Sequence, residues 1–416
     1  MRRSTAAAWA CCALWTGHAL GADNYTASYP GGNRATVDIG SSTLVGLFGG
    51  IGGVAIPPTL PIAFDLSLRG VPANLSGVAV NLGNAPAISG QLQIPSTGTN
   101  ATFAATTWPA VLEQVRRFLL QGTEARRLQR ESARSSPFDP VAGNPGSLMA
   151  RVVASDFASG FTPFASNLTD GPVRLAQVGG VPAGAVRGPL PALPGIGAQL
   201  GLLRDAGLGQ RSLTVPLSLT LRSDLDPRRQ FSVSLPLTLT DSEGARSVQG
   251  TLGAALRQPI NREWALSGSL AYSVVSAKDL GSAGKIASLS VTSSYVIRGA
   301  SSDLGLGNMI GIYRTLGGTL SGIDTGSGVS NTVLRNGVLW SMPAPAGLGF
   351  GRSIEYTFVN THYLGSDLYL RNYSELGVAV GTNKRADSTR SYMQGGLSLL
   401  LSARTKGVMA HFGYWF

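Results

Sequence analysis

Few residues of this chain have the types and spacing that chemistry requires. Asp324-Thr325-Gly326 matches the short active-site motif of aspartic proteases. That mechanism needs two carboxylates sharing one proton, hence two such loops, and only one is present. The surrounding Gly322-Ile323-Asp324-Thr325-Gly326-Ser327-Gly328 is ordinary turn chemistry, so a loop is the expected role. Beyond the first 22 residues the only histidines are His362 and His411. Neither lies at a spacing that dictates a nucleophile–base pair, and no Gly-x-Ser-x-Gly elbow occurs. Metal-ligand clusters and phosphate-cradling glycine loops are missing as well. We therefore expect no catalytic residues, no bound metal, no cofactor and no enzyme activity.

A second set of residues is more suggestive. Arg257, Arg335, Glu355, Arg371 and Glu375 fall on one parity of a two-residue repeat, opposite the large apolar side chains. If that repeat is a strand in a membrane, charges are costly toward lipid and should point inward. They would then brace or plug a lumen as ion pairs, or form a selective ring for anionic solutes.

The elements that would position them are strands. Leu213, Val215, Leu217, Leu219 and Leu221 alternate with Ser212, Thr214, Pro216, Ser218 and Thr220. After a turn at Ser223–Pro227, Phe231, Val233, Leu235, Leu237 and Leu239 repeat the pattern. Val248–Leu256, Trp264–Val274 and Leu289–Ile297 follow, then segments at 304–315, 332–342, 352–364, 368–382, 391–403 and 407–416. The polar partners are mostly Ser, Thr and Gly. A soluble sheet usually exposes long charged side chains, whereas a narrow lumen must hold small ones. With backbone groups in lipid all needing partners, the sheet must close into a barrel. Eleven segments are recognisable, and barrels of this type normally have an even number. About twelve strands is the expectation, with Thr319–Ile323 as the missing strand, and ten is the alternative. Pro216 and Pro236 argue for bulges or an edge, and a soluble β-sandwich is the competing reading.

Both ends of the chain fit export to a membrane. Residues 1–22 combine Arg2 and Arg3, an apolar run from Ala6 to Leu14 and small residues at Ala19–Ala22, the pattern of a cleaved signal peptide. Cys11 and Cys12 both lie in it, so the remainder has no cysteine. No later stretch reaches about 20 uninterrupted apolar residues, as a spanning helix would need. At the other end Val408, Ala410, Phe412, Tyr414 and Phe416 put an apolar side chain at every second position. This ending resembles the C-terminal assembly signal of Gram-negative outer-membrane β-barrels. The resemblance implies an outer-membrane location, with Phe412, Tyr414 and Phe416 read by the barrel-assembly machinery. The formal charge of +11, less Arg2 and Arg3, favours contact with acidic lipid or anionic solutes over nucleic acid in an exported protein.

The chain divides accordingly into a signal peptide (1–22), a mixed α+β N-terminal region (23–205) and a C-terminal transmembrane antiparallel β-barrel (211–416). The join is the Pro/Gly-rich Gly188–Gly195, with a short helix expected from Ala198 to Asp205. In the N-terminal region Thr107-Trp108-Pro109 starts a helix near 108–135. Val111, Leu112, Val115, Phe118 and Leu119 form its apolar stripe, and Arg116, Arg117, Arg126, Arg127, Arg130 and Arg134 dominate its other face. That face is expected either solvated or against acidic headgroups or an acidic barrel wall. A second helix is expected from Gly146 to Phe157, with short strands at Val78–Leu82 and Gly90–Ile94. The function expected first is a porin-like channel or structural barrel whose N-terminal region is periplasmic or plugs the lumen. The alternative is an autotransporter-like translocator that displays residues 23–205 through the secretion machinery. That resemblance rests on barrel size, C-terminal position and Phe416. A lipid-modifying barrel enzyme comes third.

Overall fold

The computed structural model describes residues 24–30, 36–54, 61–82, 85–167, 192–205, 207–223, 228–344, 353–381 and 392–415. The signal-peptide expectation and Phe416 lie outside these residues.

An antiparallel sheet opens the chain: β1 (Tyr25–Pro30), β2 (Thr36–Ser41), β3 (Ile62–Leu68), β4 (Val71–Leu82), β5 (Ala85–Ile94) and β6 (Thr99–Ala105), in the order β2-β1-β3-β4-β5-β6. Its buried parity, including Phe64, Leu66, Leu75 and Leu92, packs on the helices Leu44–Gly52 and Trp108–Leu120. The glycine-rich apolar run at Leu44 is thus a short core helix, started by Thr43, whose hydroxyl accepts from Gly46 N–H at 3.0 Å. The basic helix is two helices, Trp108–Leu120 and Gly122–Ser135, broken where Gly122 takes φ +75°. Leu148–Asn167 forms the last helix of this half, starting two residues later and ending ten later than the sequence pattern suggests.

The barrel follows. Its strands are β7 (Ala192–Asp205), β8 (Leu208–Val215), β9 (Leu217–Arg222), β10 (Gln230–Ser234), β11 (Leu237–Ser242), β12 (Ala245–Pro259), β13 (Trp264–Ala277), β14 (Ser282–Arg298) and β15 (Asp303–Thr315). After a small hairpin, β16 (Gly318–Leu320) and β17 (Ile323–Thr325), come β18 (Ser330–Pro343), β19 (Ser353–Gly365), β20 (Asn372–Gly381), β21 (Tyr392–Leu401) and β22 (Lys406–Trp415). β7 pairs with β22 on one side and with β8 and β9 on the other, so the sheet closes on itself as a twelve-strand antiparallel barrel.

Strand number matches the expectation, but two of its parts are corrected. The twelfth strand is β7, where a linker and a helix from Ala198 to Asp205 were expected, so the barrel begins at Ala192 and not near 211. Its outward side chains, Ile196, Ala198, Leu200 and Leu202, alternate as in the other strands, but the prolines and glycines around them hide the period. Gly197 is required there, because a Cβ would stand 2.7 Å from the Phe412 carbonyl oxygen of the closing strand. Thr319–Ile323 is instead the β16–β17 hairpin, paired only with itself.

The two prolines explain the broken strands. Pro216 separates β8 from β9, and Pro236 separates β10 from β11, at matching levels of adjacent strands (Leu237 faces Val215 and Ser234 faces Ser218). Only their N–H groups are lost. The Pro216 carbonyl accepts from Gly197 N–H at 3.1 Å and the Pro236 carbonyl from Thr251 N–H at 3.1 Å. Each break is thus bridged by the unbroken strand beside it, and the ring stays closed.

Side-chain parity completes the barrel. Outward residues are large and apolar, as at Leu252, Leu270, Leu289, Ile310 and Leu397, all more than half exposed. Inward ones are buried and small or polar, as at Thr238, Thr240, Ser247, Thr251, Ser269, Ser273, Ser290 and Thr292. This inversion of a soluble protein's pattern belongs to a β-barrel of the outer-membrane type.

Candidate functional site: the plugged lumen

The barrel has two unlike ends. One holds the beginning of β7, the end of β22 and the connections at 260–263 and 299–302; call it the terminal end. The other holds the turns at 243–244, 278–281, 316–329, 366–371 and 402–405, and the N-terminal unit sits on it as a cap. Tyr25 donates its hydroxyl to the Leu280 carbonyl at 2.7 Å, and Asn24 donates to the Ser242 carbonyl at 2.9 Å. Gln129 donates to the Asp324 carbonyl at 2.8 Å and Arg130 to the Ser327 carbonyl at 2.7 Å. The Asp324-Thr325-Gly326 motif is therefore the end of the β16–β17 hairpin, which receives the cap. Arg130 faces this turn, while Arg116, Arg117, Arg127 and Arg134 pair with Glu113, Glu124 and Glu131 on their own helices. In that solvated cluster the Arg116 hydrogen bond holds the Glu113 carboxyl down at about 2.

From the cap the chain turns into the barrel mouth. Arg69, in the β3–β4 turn at φ 55°, donates to Asp139 at 3.1 Å, and both side chains are buried. Asp139 also accepts from the Val141 and Ala142 amides at 2.9 and 3.1 Å. Burial raises its carboxyl pKa, while the guanidinium and the two amides oppose the rise. Tyr369 and Leu370, in the β19–β20 turn, donate backbone N–H groups to Ala133 and Gly143 at 2.9 Å each.

The Leu148–Asn167 helix then runs down the lumen. At 1.5 Å per residue its 20 residues span about 30 Å, the height of a membrane. It packs against β12, β13, β14, β15 and β18. Near the cap Arg151 donates to Thr214 at 3.1 Å. One turn lower Asp156 accepts from Ser288 at 2.9 Å and Tyr313 at 3.0 Å. Deeper still the Phe157 and Phe161 rings pack 4.9 Å apart, tilted by 31°, and press into the wall at Gly337 and Gly307. A Cβ at Gly307 would come within 2.4 Å of the Phe161 ring, so only glycine fits that contact.

Four of the five charges expected to face the lumen do so. Arg335 is buried, donates to both carboxylate oxygens of Glu375 at 3.0 and 3.1 Å, and lies 5.3 Å from the Phe157 ring centre. It also donates to Thr361. Glu355 accepts from Gln394 at 2.9 Å. Arg257 is buried at the terminal end, beside Arg228, Arg262 and Arg298. Arg371 is the correction: it sits in the exposed β19–β20 turn and pairs with Asp367, because β20 starts at Asn372 and not at 368. His411 lies on the lumenal parity beside Gly396, and His362 faces outward, 3.3 Å from the Asn372 amide. Of the assembly-signal residues, Phe412 is outward and exposed and Tyr414 lies in β22 opposite Met393.

Sequence reasoning missed Arg151, Asp156 and Phe161, although Phe157 ended the expected helix. The helix reads as weakly amphipathic because the side packed on β12 to β15 and β18 and the partly open side at Ala154, Ser155 and Ala158 both carry small residues. A second signal was available in the wall itself, where Gly337 interrupts the filled inward positions of β18 and Gly307 lies among the inward glycines of β15.

No protein-family model and no curated protein sequence matches the chain. Among solved structures, the barrel is similar to the β domain of the Bordetella autotransporter BrkA (13% identity, 54% of this chain and 98% of that one, TM-score 0.42). It is also similar to the translocator domain of NalP from Neisseria meningitidis (12%, 54% and 87%, TM-score 0.41). An outer-membrane channel from Pseudomonas putida F1 matches to the same degree (14%, 57% and 98%, TM-score 0.41).

Proposed function

We propose that this protein is an outer-membrane barrel that holds its own N-terminal α+β unit on the cell surface, anchored by a helix through a plugged lumen. The observation behind the reading is continuity. One chain passes from the cap, through the mouth by way of Arg69 and Asp139, and down the lumen as Leu148–Asn167. It then starts the barrel at the far end with β7. An even number of strands leaves both barrel termini on one side, and a barrel assembled from the periplasm keeps them there. The cap then faces outward. Charge distribution supports the same orientation. The outer rim of the barrel at the cap end is mostly basic, with Arg204, Arg211, Arg246, Lys285, Arg314 and Lys406, and one acid, Asp241, between Arg211 and Arg246, just past the aliphatic band. The terminal end carries the aromatic residues Trp264, Tyr295, Trp340 and Tyr356 at the same outward positions. Basic rims favour a leaflet rich in anionic headgroups.

In this reading the lumenal charges clamp the plug, and no catalysis or solute is assigned. An antibody raised against residues 24–135 should stain intact cells expressing the full chain. Staining that appears only after the outer membrane is permeabilised would overturn the proposal in favour of a periplasmic cap.

A further inference from the structure

Two asparagines occupy the barrel's outer face where apolar side chains are expected. Along β15 the outward residues are Leu304, Leu306, Asn308, Ile310, Ile312 and Arg314; along β18 they include Trp340, Val338, Asn336 and Leu334. Asn308 and Asn336 are direct cross-strand partners, and both are exposed. Residues placed so have Cβ atoms about 4.5–5.5 Å apart. The polar row continues to Ser293 on β14 and Asn360 on β19. Those two neighbours are satisfied within the chain: Ser293 accepts from the Trp264 indole at 2.9 Å, and Asn360 donates to Ser374 at 3.0 Å and Asn372 at 3.2 Å. Neither the Asn308 nor the Asn336 side chain has a hydrogen-bond partner among the described residues.

Their depth makes this notable. Trp340 belongs to the aromatic belt of the terminal end, with Tyr356 5.9 Å from it. Asn336 lies four residues further along β18. On a strand tilted by about 40° that is roughly 10 Å of height, within an apolar band about 25 Å tall. On β15 the asparagine has two aliphatic residues on each side before the basic rim at Arg314. Both amides therefore sit near mid-membrane, where hydrocarbon offers them no partner and leaving them bare is costly.

We propose that this row is the contact between two copies of the barrel standing side by side in the membrane. A carboxamide carries both donors and acceptor, so it complements another carboxamide. In a two-fold dimer the same patch meets itself. Two barrels inserted in the same direction are related by an axis along the membrane normal, which brings the two rows together at equal depth. Leu306, Ile310, Leu334 and Val338 flank the amides and would exclude lipid from the contact. Acyl chains could cover these aliphatic residues equally well, but could not satisfy the amides.

The chain suits a direct test, because its only cysteines are Cys11 and Cys12. With these replaced, Asn336→Cys in native membranes should form a disulfide-linked dimer on oxidation. Leu202→Cys, outward on β7 across the barrel, should cross-link at least tenfold less. Equal or reversed cross-linking would overturn the proposal. Subunit counting by photobleaching in supported bilayers should give two copies for the wild type and one for Asn308→Leu/Asn336→Leu, both retaining heat-modifiable barrels. A monomeric wild type, or a double variant that remains dimeric, would equally overturn it.

Discussion

At the residue scale the decisive contacts are buried polar groups that tie the cap to the barrel and the plug to the wall. Tyr25 is fully buried, and burial pushes its hydroxyl up to about 12, against 10 when exposed. A group whose folded pKa lies above its unfolded one stabilises the fold below the unfolded value and loses that contribution as pH rises through the folded value. Stability of the cap should therefore fall between pH 10 and 12, by about 1.4 kcal/mol per pH unit. Chemical denaturation followed by tyrosine ionisation should show this dependence, and Tyr25→Phe should remove it; a variant with the same alkaline loss would refute the assignment. The inward placement of Arg335 and Glu375 was legible from parity, because an ion facing lipid is costly, but their pairing with each other was not. Arg371 shared that parity and still fell outside, because a two-residue repeat does not mark where a strand begins. Asp156 was illegible, since its partners Ser288 and Tyr313 lie far along the chain.

At the element scale the proposed plug is the Leu148–Asn167 helix, which runs inside the barrel. Phe157 and Phe161 are buried against Gly337 and Gly307 of the wall, and truncating a buried phenylalanine costs about 3–5 kcal/mol. The wild-type barrel should be silent in planar bilayers, and Phe157→Ala/Phe161→Ala should show intermittent conductance steps. A double variant as silent as the wild type would argue that the plug is held by its polar contacts instead. The strands themselves were mostly legible, since β12 to β22 alternate openly between apolar and small polar residues. β7 was not. Its prolines and glycines read locally as a linker, and only closure against Phe412 and Gly413 shows that small residues were needed there.

At the scale of the whole molecule, ring closure fixes both barrel termini at one end and the cap at the other. That polarity leads to a labelling pattern. In intact cells a membrane-impermeant maleimide should modify Ser321→Cys, in the exposed hairpin beside the cap, and should reach Arg262→Cys at the terminal end only after permeabilisation. The opposite pattern would invert the orientation and turn the cap into a periplasmic plug.

What the sequence determined by itself was the chemistry of each face. A strand's parity is local, so apolar outward residues and small inward ones announce a barrel without reference to anything distant. The number of strands was within reach only through the even-number rule, which does not locate the twelfth: the pattern points to Thr319–Ile323, and the structure has β7 instead. What only the tertiary structure decided was the content of the lumen and the end the cap occupies. The helix faces the wall on one side and has a small-residue side at Ala154, Ser155 and Ala158 on the other, so its sequence lacks the contrast that marks an ordinary amphipathic helix. Its partners are glycines, serines and a tyrosine more than a hundred residues away, and their meaning appears only once the ring has closed around them.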